Sequence, residues 1–279
     1  MNPRTQCNNL RTALGWAAIG IALGFAGCTT AAFRGGDAVA EAPADSQPVK
    51  RSSMRDRTAD AYYRYAAAQL LARQDRLDEA IGEIRLAIND DPTTALLWIQ
   101  LEQWLLRTGN IPGALDAAQK AVALEPSSSA ARLILADLYR HQKRFADAER
   151  ELGQAIAQQP QSPEPYLALA QQYFEQKAYD KARTVLLQLL AARPNDAQAH
   201  YFLGRGAIET ENWDEAIAEL RRATELDPDH DASWSALGYV YETRDQPEQA
   251  VQIYKQAIKA NPDNAGFVER LGEARIVRI

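Results

Sequence analysis

Residues 197–230 read AQAHYFLGRGAIETENWDEAIAELRRATELDPDH, and this stretch decides the fold. Two apolar patterns with helical spacing flank the polar turn Glu211-Asn212, and Pro228 follows the second pattern. That proline belongs to a series, Pro92, Pro126, Pro160, Pro194, Pro228 and Pro262, with a constant spacing of 34 residues. Ala80, Ala114, Ala148, Ala182, Ala216 and Ala250 keep the same spacing, each twelve residues ahead of a proline. One supersecondary unit is therefore repeated six times, and 34 residues is the period of a helix–turn–helix repeat.

The prolines set the frame. The units are residues 61–94, 95–128, 129–162, 163–196, 197–230 and 231–264, inside an array of residues 58–264. In the first unit, helices are expected over about 61–73 and 77–89, with Thr58 or Asp60 as the first N-cap. The turns inside the units are Asp75-Arg76, Gly109-Asn110, Lys143-Arg144, Lys177-Ala178, Glu211-Asn212 and Asp245-Gln246. Pro112 and Pro247 fall at the starts of second helices, where a missing N–H is harmless. The periodic prolines stop those second helices, because proline cannot extend a helix and restricts the residue before it. Residues 265–279 begin a seventh unit that ends after one helix. It is expected to cap the last apolar face, with Val268, Leu271 and Gly272 at positions four, seven and eight.

These residues carry a family resemblance, and the pattern resembles the tetratricopeptide repeat. Position eight of the first helix is small at Ala68, Ala136, Ala170, Gly204 and Gly238, and position seven is leucine at 101, 135, 169, 203 and 237. Position four is aromatic at Trp98, Tyr166 and Trp234, and position eleven at Tyr139, Tyr173 and Tyr241. The resemblance implies an all-α fold, a right-handed superhelical α-solenoid of six repeats plus a C-terminal capping helix at 265–279. Four departures stand out. Glu102 occupies a small position; Arg64, Arg132 and His200 replace the aromatic at position four; Leu189 replaces a second small alanine; Ala67 replaces the first leucine.

The N-terminus is organised differently. Arg4 and Arg11 precede an apolar run, ALGWAAIGIALGF, at 13–25, and small residues then lead to Cys28. Phe25-Ala26-Gly27-Cys28 resembles the lipobox of bacterial lipoproteins, with Phe25 where the family most often has leucine. The resemblance implies a signal peptide at 1–27, lipidation of Cys28, and sorting to the outer membrane facing the periplasm, because Thr29 follows the cysteine. An uncleaved inner-membrane anchor at 12–33 with a periplasmic body, and simple cleaved secretion, are the alternatives. Residues 28–57 form a linker rich in Ala, Gly, Pro and Ser, with a reach of roughly 25–30 Å. Without residues 1–27 the chain carries 29 basic and 37 acidic residues, a net −8, so lipid and not a basic patch would hold it at a membrane.

The full chain has a net charge of −6, which speaks against a nucleic-acid partner. Cys7 and Cys28 are its only cysteines, so no disulfide framework is expected. His141, His200 and His230 show no metal-ligand spacing, and no nucleophile or phosphate-loop motif is present. The acidic turn Asp227-Pro228-Asp229-His230-Asp231 has the side chains for a cation, but it reads first as a solvated connector with an N-cap. The expectation is a protein that is not an enzyme and uses no cofactor or metal.

What remains is a binding face. By resemblance, positions two, five, nine and twelve of the first helices line the concave side. Position five reads Tyr65, Ile99, Leu133, Leu167, Tyr201 and Ser235; position nine reads Gln69, Gln103, Asp137, Gln171, Arg205 and Tyr239. An apolar row beside a hydrogen-bonding row suits an extended peptide or an inserted helix. Bulk at position five has a second reading, as support for its neighbours. Neither row has the Lys and Asn with which chaperone-binding relatives clamp a terminal carboxylate. The expected role is a membrane-tethered scaffold for subunits of an envelope machine, with an assembly chaperone or a structural spacer as alternatives. Oligomeric state is left open.

Overall fold

The computed structural model describes residues 54–276. The expected signal segment, Cys28 and the linker as far as residue 53 lie outside the described residues. Among the described residues there are thirteen α-helices and no strand. The six units are the pairs α1 (Met54–Arg73) and α2 (Leu77–Asp90), α3 (Ala95–Arg107) and α4 (Ile111–Leu124), α5 (Ser129–His141) and α6 (Phe145–Gln158), α7 (Pro163–Glu175) and α8 (Tyr179–Ala192), α9 (Ala197–Glu209) and α10 (Trp213–Leu226), and α11 (Asp231–Thr243) and α12 (Pro247–Ala260). The unpaired α13 (Ala265–Ile276) closes the array. Each helix packs on its sequence neighbours, as a solenoid requires.

One boundary needs correction. Helix α1 begins at Met54, so Thr58 and Asp60 lie inside it and are not caps, and the linker ends before 57. In later units a proline three residues ahead of the first helix forces a turn. Thr58 occupies that slot in unit one, and nothing from 54 to 60 stops a helix.

The turn inside each unit is closed by backbone alone. Its middle residue has positive φ in all six units: Asp75, Gly109, Lys143, Lys177, Glu211 and Asp245, between 55° and 77°. The next amide donates to the carbonyl five residues back, as in Asn110 N to Leu105 O at 2.8 Å and Arg144 N to Tyr139 O at 2.8 Å. This is the left-handed Schellman end of a helix, which favours glycine. Only unit two supplies one.

The structure also explains the departures at position four. Trp98 Nε1 donates to Pro92 O at 3.1 Å, Arg132 Nε to Pro126 O at 3.0 Å, Tyr166 Oη to Pro160 O at 3.2 Å, and Trp234 Nε1 to Pro228 O at 2.9 Å. His200 Nε2 lies 3.2 Å from Pro194 O. In units two to six this position carries a polar group that reaches the carbonyl six residues back, and aromaticity is secondary. A second-helix partner then follows the donor's chemistry. Arg64, Arg132 and His200 face Glu83, Glu151 and Glu219, each nineteen residues on. Behind Trp98, Tyr166 and Trp234 the same position holds Ala117, Val185 and Ile253, all buried. Units with a polar pair and units with an apolar pair alternate along the array.

Helix crossings trade size in the same way. A Cβ on Gly204 would stand 2.5 Å from Leu220, and one on Gly238 would stand 2.4 Å from the Tyr254 ring. In unit two the large residue is on the first helix: Glu102 is 2% exposed, while α4 contributes buried alanines at 114, 117, 118 and 121. Burial pushes the Glu102 carboxyl up to about 7, and the charge of Asp137 adds to the shift. Leu189 is fully buried where other units have alanine. At the end of the array, α13 buries Phe267 and Ala274, whereas Val268 is exposed.

Candidate functional site

Positions five and nine are four residues apart, so they share one side of each first helix. Tyr65, Ile99, Leu133, Leu167 and Tyr201 are all half-buried, and Ser235 is exposed. Tyr65, Leu133, Leu167 and Tyr201 pack against the core, so part of this row supports the fold. Position nine stands further out: Gln103, Asp137 and Tyr239 are exposed, and Gln69, Gln171 and Arg205 are half-buried. Exposed Tyr62 and Leu96, at position two, extend the apolar surface beside Tyr65.

The two halves of this face differ in their hydrogen bonding. In units one to three the polar groups bond to one another. Gln69 Nε2 donates to Gln100 Oε1 at 2.6 Å and to Tyr65 Oη at 3.0 Å, and Gln100 Nε2 donates to Gln103 Oε1 at 3.1 Å. Asp137 pairs with Arg140, which also holds Glu175, and with His141 at 3.3 Å. In units four to six the side chains of Gln171, Arg205 and Tyr239 form no hydrogen bond or ion pair among the described residues. Here aromatic rings collect instead. Phe174 lies 5.8 Å from Phe202 and 5.9 Å from Tyr179, and Tyr201 lies 5.5 Å from Phe202, ring centre to ring centre. Tyr201 also meets the His230 ring edge-on at 4.8 Å. Phe174 occupies position twelve, one of the concave positions of the pattern, whereas Phe202 occupies position six, which the pattern does not single out. Their aromatic character next to Tyr201 was the available signal.

A different site opens on the side carried by the second helices. A cavity of about 570 Å³ lies between α10 and α12, with Trp234, Leu237, Tyr241 and Ile253 in its floor. Gln249, Gln252 and Gln256 line one edge. Position four had been read only as a packing position. Of its aromatic members, Trp234 also lines this cavity, together with the apolar Ile253.

The remaining candidates are structural. Asp231 accepts from Asn261 and Asn264 at 2.7 Å each, which ties the acidic turn to the next connector. Ser128 caps α5 by accepting from Ala131 N at 3.3 Å. Among the described residues no group of three or more His, Cys, Asp or Glu side chains is placed to hold a metal ion. No described helix is long and apolar enough to cross a membrane.

Tetratricopeptide repeat models match residues 105–163, 140–206, 203–265 and 235–276. No curated protein matches the sequence. Among solved structures, the chain is similar to a tetratricopeptide repeat protein from Parabacteroides merdae at 13% identity and a TM-score of 0.60, over 79% of this chain and 87% of that one. It is similar to PilW, described as a widely conserved type IV pilus biogenesis factor, at 17% identity and a TM-score of 0.56, over 76% of this chain and 97% of that one. Similarity to MamA is 22% with a TM-score of 0.51, over 62% and 94% of the two chains. At these identities the likeness is one of fold. The repeat matches cover more than half of the sequence, and the chain belongs to the tetratricopeptide repeat family.

Proposed function

We propose that this chain is a membrane-tethered protein-interaction scaffold. Its first-helix face holds a protein or peptide partner, and the assembly it serves is a bacterial envelope machine of the pilus or secretin, murein-enzyme or polysaccharide-export kind. The observation that carries the reading is the paired rows at positions five and nine, with unoccupied polar groups at Gln171, Arg205 and Tyr239 beside an apolar strip. The lipobox-like run ending at Cys28 supports the tether and an outer-membrane location facing the periplasm. The shared fold with PilW supports an envelope setting.

Leu133 and Leu167 pack against the core, so glutamates there would disturb folding as well as binding. Ser235→Glu combined with Tyr239→Glu alters only exposed side chains of unit six. Affinity capture from detergent extracts should recover a stoichiometric partner with the native chain and lose it with the double variant at unchanged melting temperature. Full retention would overturn the reading. Release of the partner on membrane insertion would identify an assembly chaperone. Labelled palmitate should enter the native chain and not the Cys28→Ala variant.

A further inference from the structure

We propose that Arg205 is the anchor point of the groove and that it takes a carboxylate of the partner peptide, set beside a large apolar side chain. The inference rests on the reading of the first-helix face as the binding face. Its own support is the environment of one guanidinium.

Arg205 sits against three rings. Its Cζ lies 5.2 Å from the centre of Phe174, 5.5 Å from Phe202 and 5.8 Å from Tyr201. Aromatic rings hold a guanidinium through its charge and supply no lone-pair acceptor, so its N–H groups remain for a carboxylate, which they can grip through two parallel hydrogen bonds. Among the described residues those groups have no acceptor. Other half-buried or buried arginines of the array do have one: Arg64 holds Asp90, Arg132 holds Glu151, and Arg140 holds Glu175. The natural helical partner of Arg205 is Glu209, four residues on, but that carboxylate accepts from Tyr179 Oη at 3.1 Å. A half-buried guanidinium, held in place and without an anion in a chain of net −6, is complementary to an anionic group brought by another molecule.

The surroundings narrow the ligand. Gln171 and Tyr239, one unit to either side at the same position, are also free of internal hydrogen bonds and suit a peptide backbone. Phe174 and Tyr201 give an apolar neighbour to whatever carboxylate docks. In units one to three the same row is closed by its own hydrogen bonds, so the peptide is placed over units four to six.

The test uses the full chain in detergent and an array of random peptides printed in two sets, with free and with amidated C-termini. The expected result is selection of peptides bearing a carboxylate next to an aromatic or large aliphatic residue. Arg205→Gln should weaken those peptides by about tenfold to a hundredfold at unchanged melting temperature. Arg205→Lys should restore only part of the loss, because an ammonium lacks the planar fork. Loss on amidation alone assigns a chain terminus, and loss on Glu→Gln or Asp→Asn exchange in the peptide assigns a side chain. Either supports the proposal. Peptides bound without acidic preference, or bound equally by Arg205→Gln, overturn the proposal and leave the groove reading standing. Absence of peptide binding by the native chain and the variant alike overturns both.

Discussion

Arg132 Nη1 lies 2.6 Å from Glu151 Oε2, and both side chains are buried. The pair joins the first and second helices of unit three, and the arginine also donates to Pro126 O. The next unit solves the same crossing with Tyr166 and Val185. Removing one member of a buried ion pair leaves the other uncompensated. Arg132→Ala should therefore cost about 3 kcal/mol in chemical unfolding. The double exchange Arg132→Tyr with Glu151→Val copies unit four and should recover most of that loss. A double variant no more stable than Arg132→Ala would show that the pairs are not interchangeable between units.

Glu102 gives the array a pH dependence of known sign. Its folded carboxyl titrates near 7, above the ordinary value of 4.5. Below 4.5 it is protonated whether the chain is folded or not, and the fold bears no cost. As pH rises from 4.5 to 7 the unfolded chain releases its proton first, so stability falls across that window and levels off above it. The fall is about 3 kcal/mol for this shift. The difference between native and Glu102→Gln unfolding curves, taken from pH 4 to pH 8, should show this slope; parallel curves would refute it.

Lys143 and Lys177 hold φ near 59° and 56°. A side chain in this region is crowded against its own carbonyl, and glycine is not. Lys143→Gly and Lys177→Gly should each raise stability by about 0.5–1 kcal/mol, and Gly109→Ala should lower it by a similar amount. Thermal melting of the three single variants checks both signs.

Glycines inside the helices divide by what surrounds them. A methyl on Gly204 would run into Leu220, which is wholly buried, so Gly204→Ala should destabilise by about 1–2 kcal/mol through overpacking. A methyl on Gly82 or Gly153 meets nothing within 4 Å. Those two substitutions should stabilise by about 0.5–1 kcal/mol, the ordinary helix preference for alanine. A common sign at all three sites would contradict the close crossing at Gly204.

Phe267 covers the end of unit six and is 2% exposed. Phe267→Ala should lower the unfolding midpoint by an amount corresponding to about 3 kcal/mol. Deleting residues 265–279 should lower it further and reduce solubility, and a truncated chain with native melting would show that the array needs no cap.

The repeat was fully legible in the sequence, because proline and small residues act locally and at a fixed spacing. Pro92 and its five equivalents stop helices whatever lies beside them, so unit boundaries, turns and the two rows of the proposed binding face could be numbered directly. The start of α1 was misplaced for the same reason: Thr58 looks like a cap, but no proline stands there to make the chain turn. The aromatic setting of Arg205 was not legible. Phe174 comes from the preceding unit, 31 residues earlier, and only packing of α7 on α9 brings it to the guanidinium.

Sequence alone therefore determined the family, the phase of the repeat and the candidate rows, since each depends on the spacing of residue types along one chain. Tertiary structure decided which of those side chains are spent on each other and which are free. It paired Arg132 with Glu151, set Glu102 among alanines, joined Gln69 to Gln100, and left Arg205 beside three aromatic rings without an anion. These outcomes depend on distances between helices that no local pattern encodes, and they separate the part of the face that supports the fold from the part available to a partner.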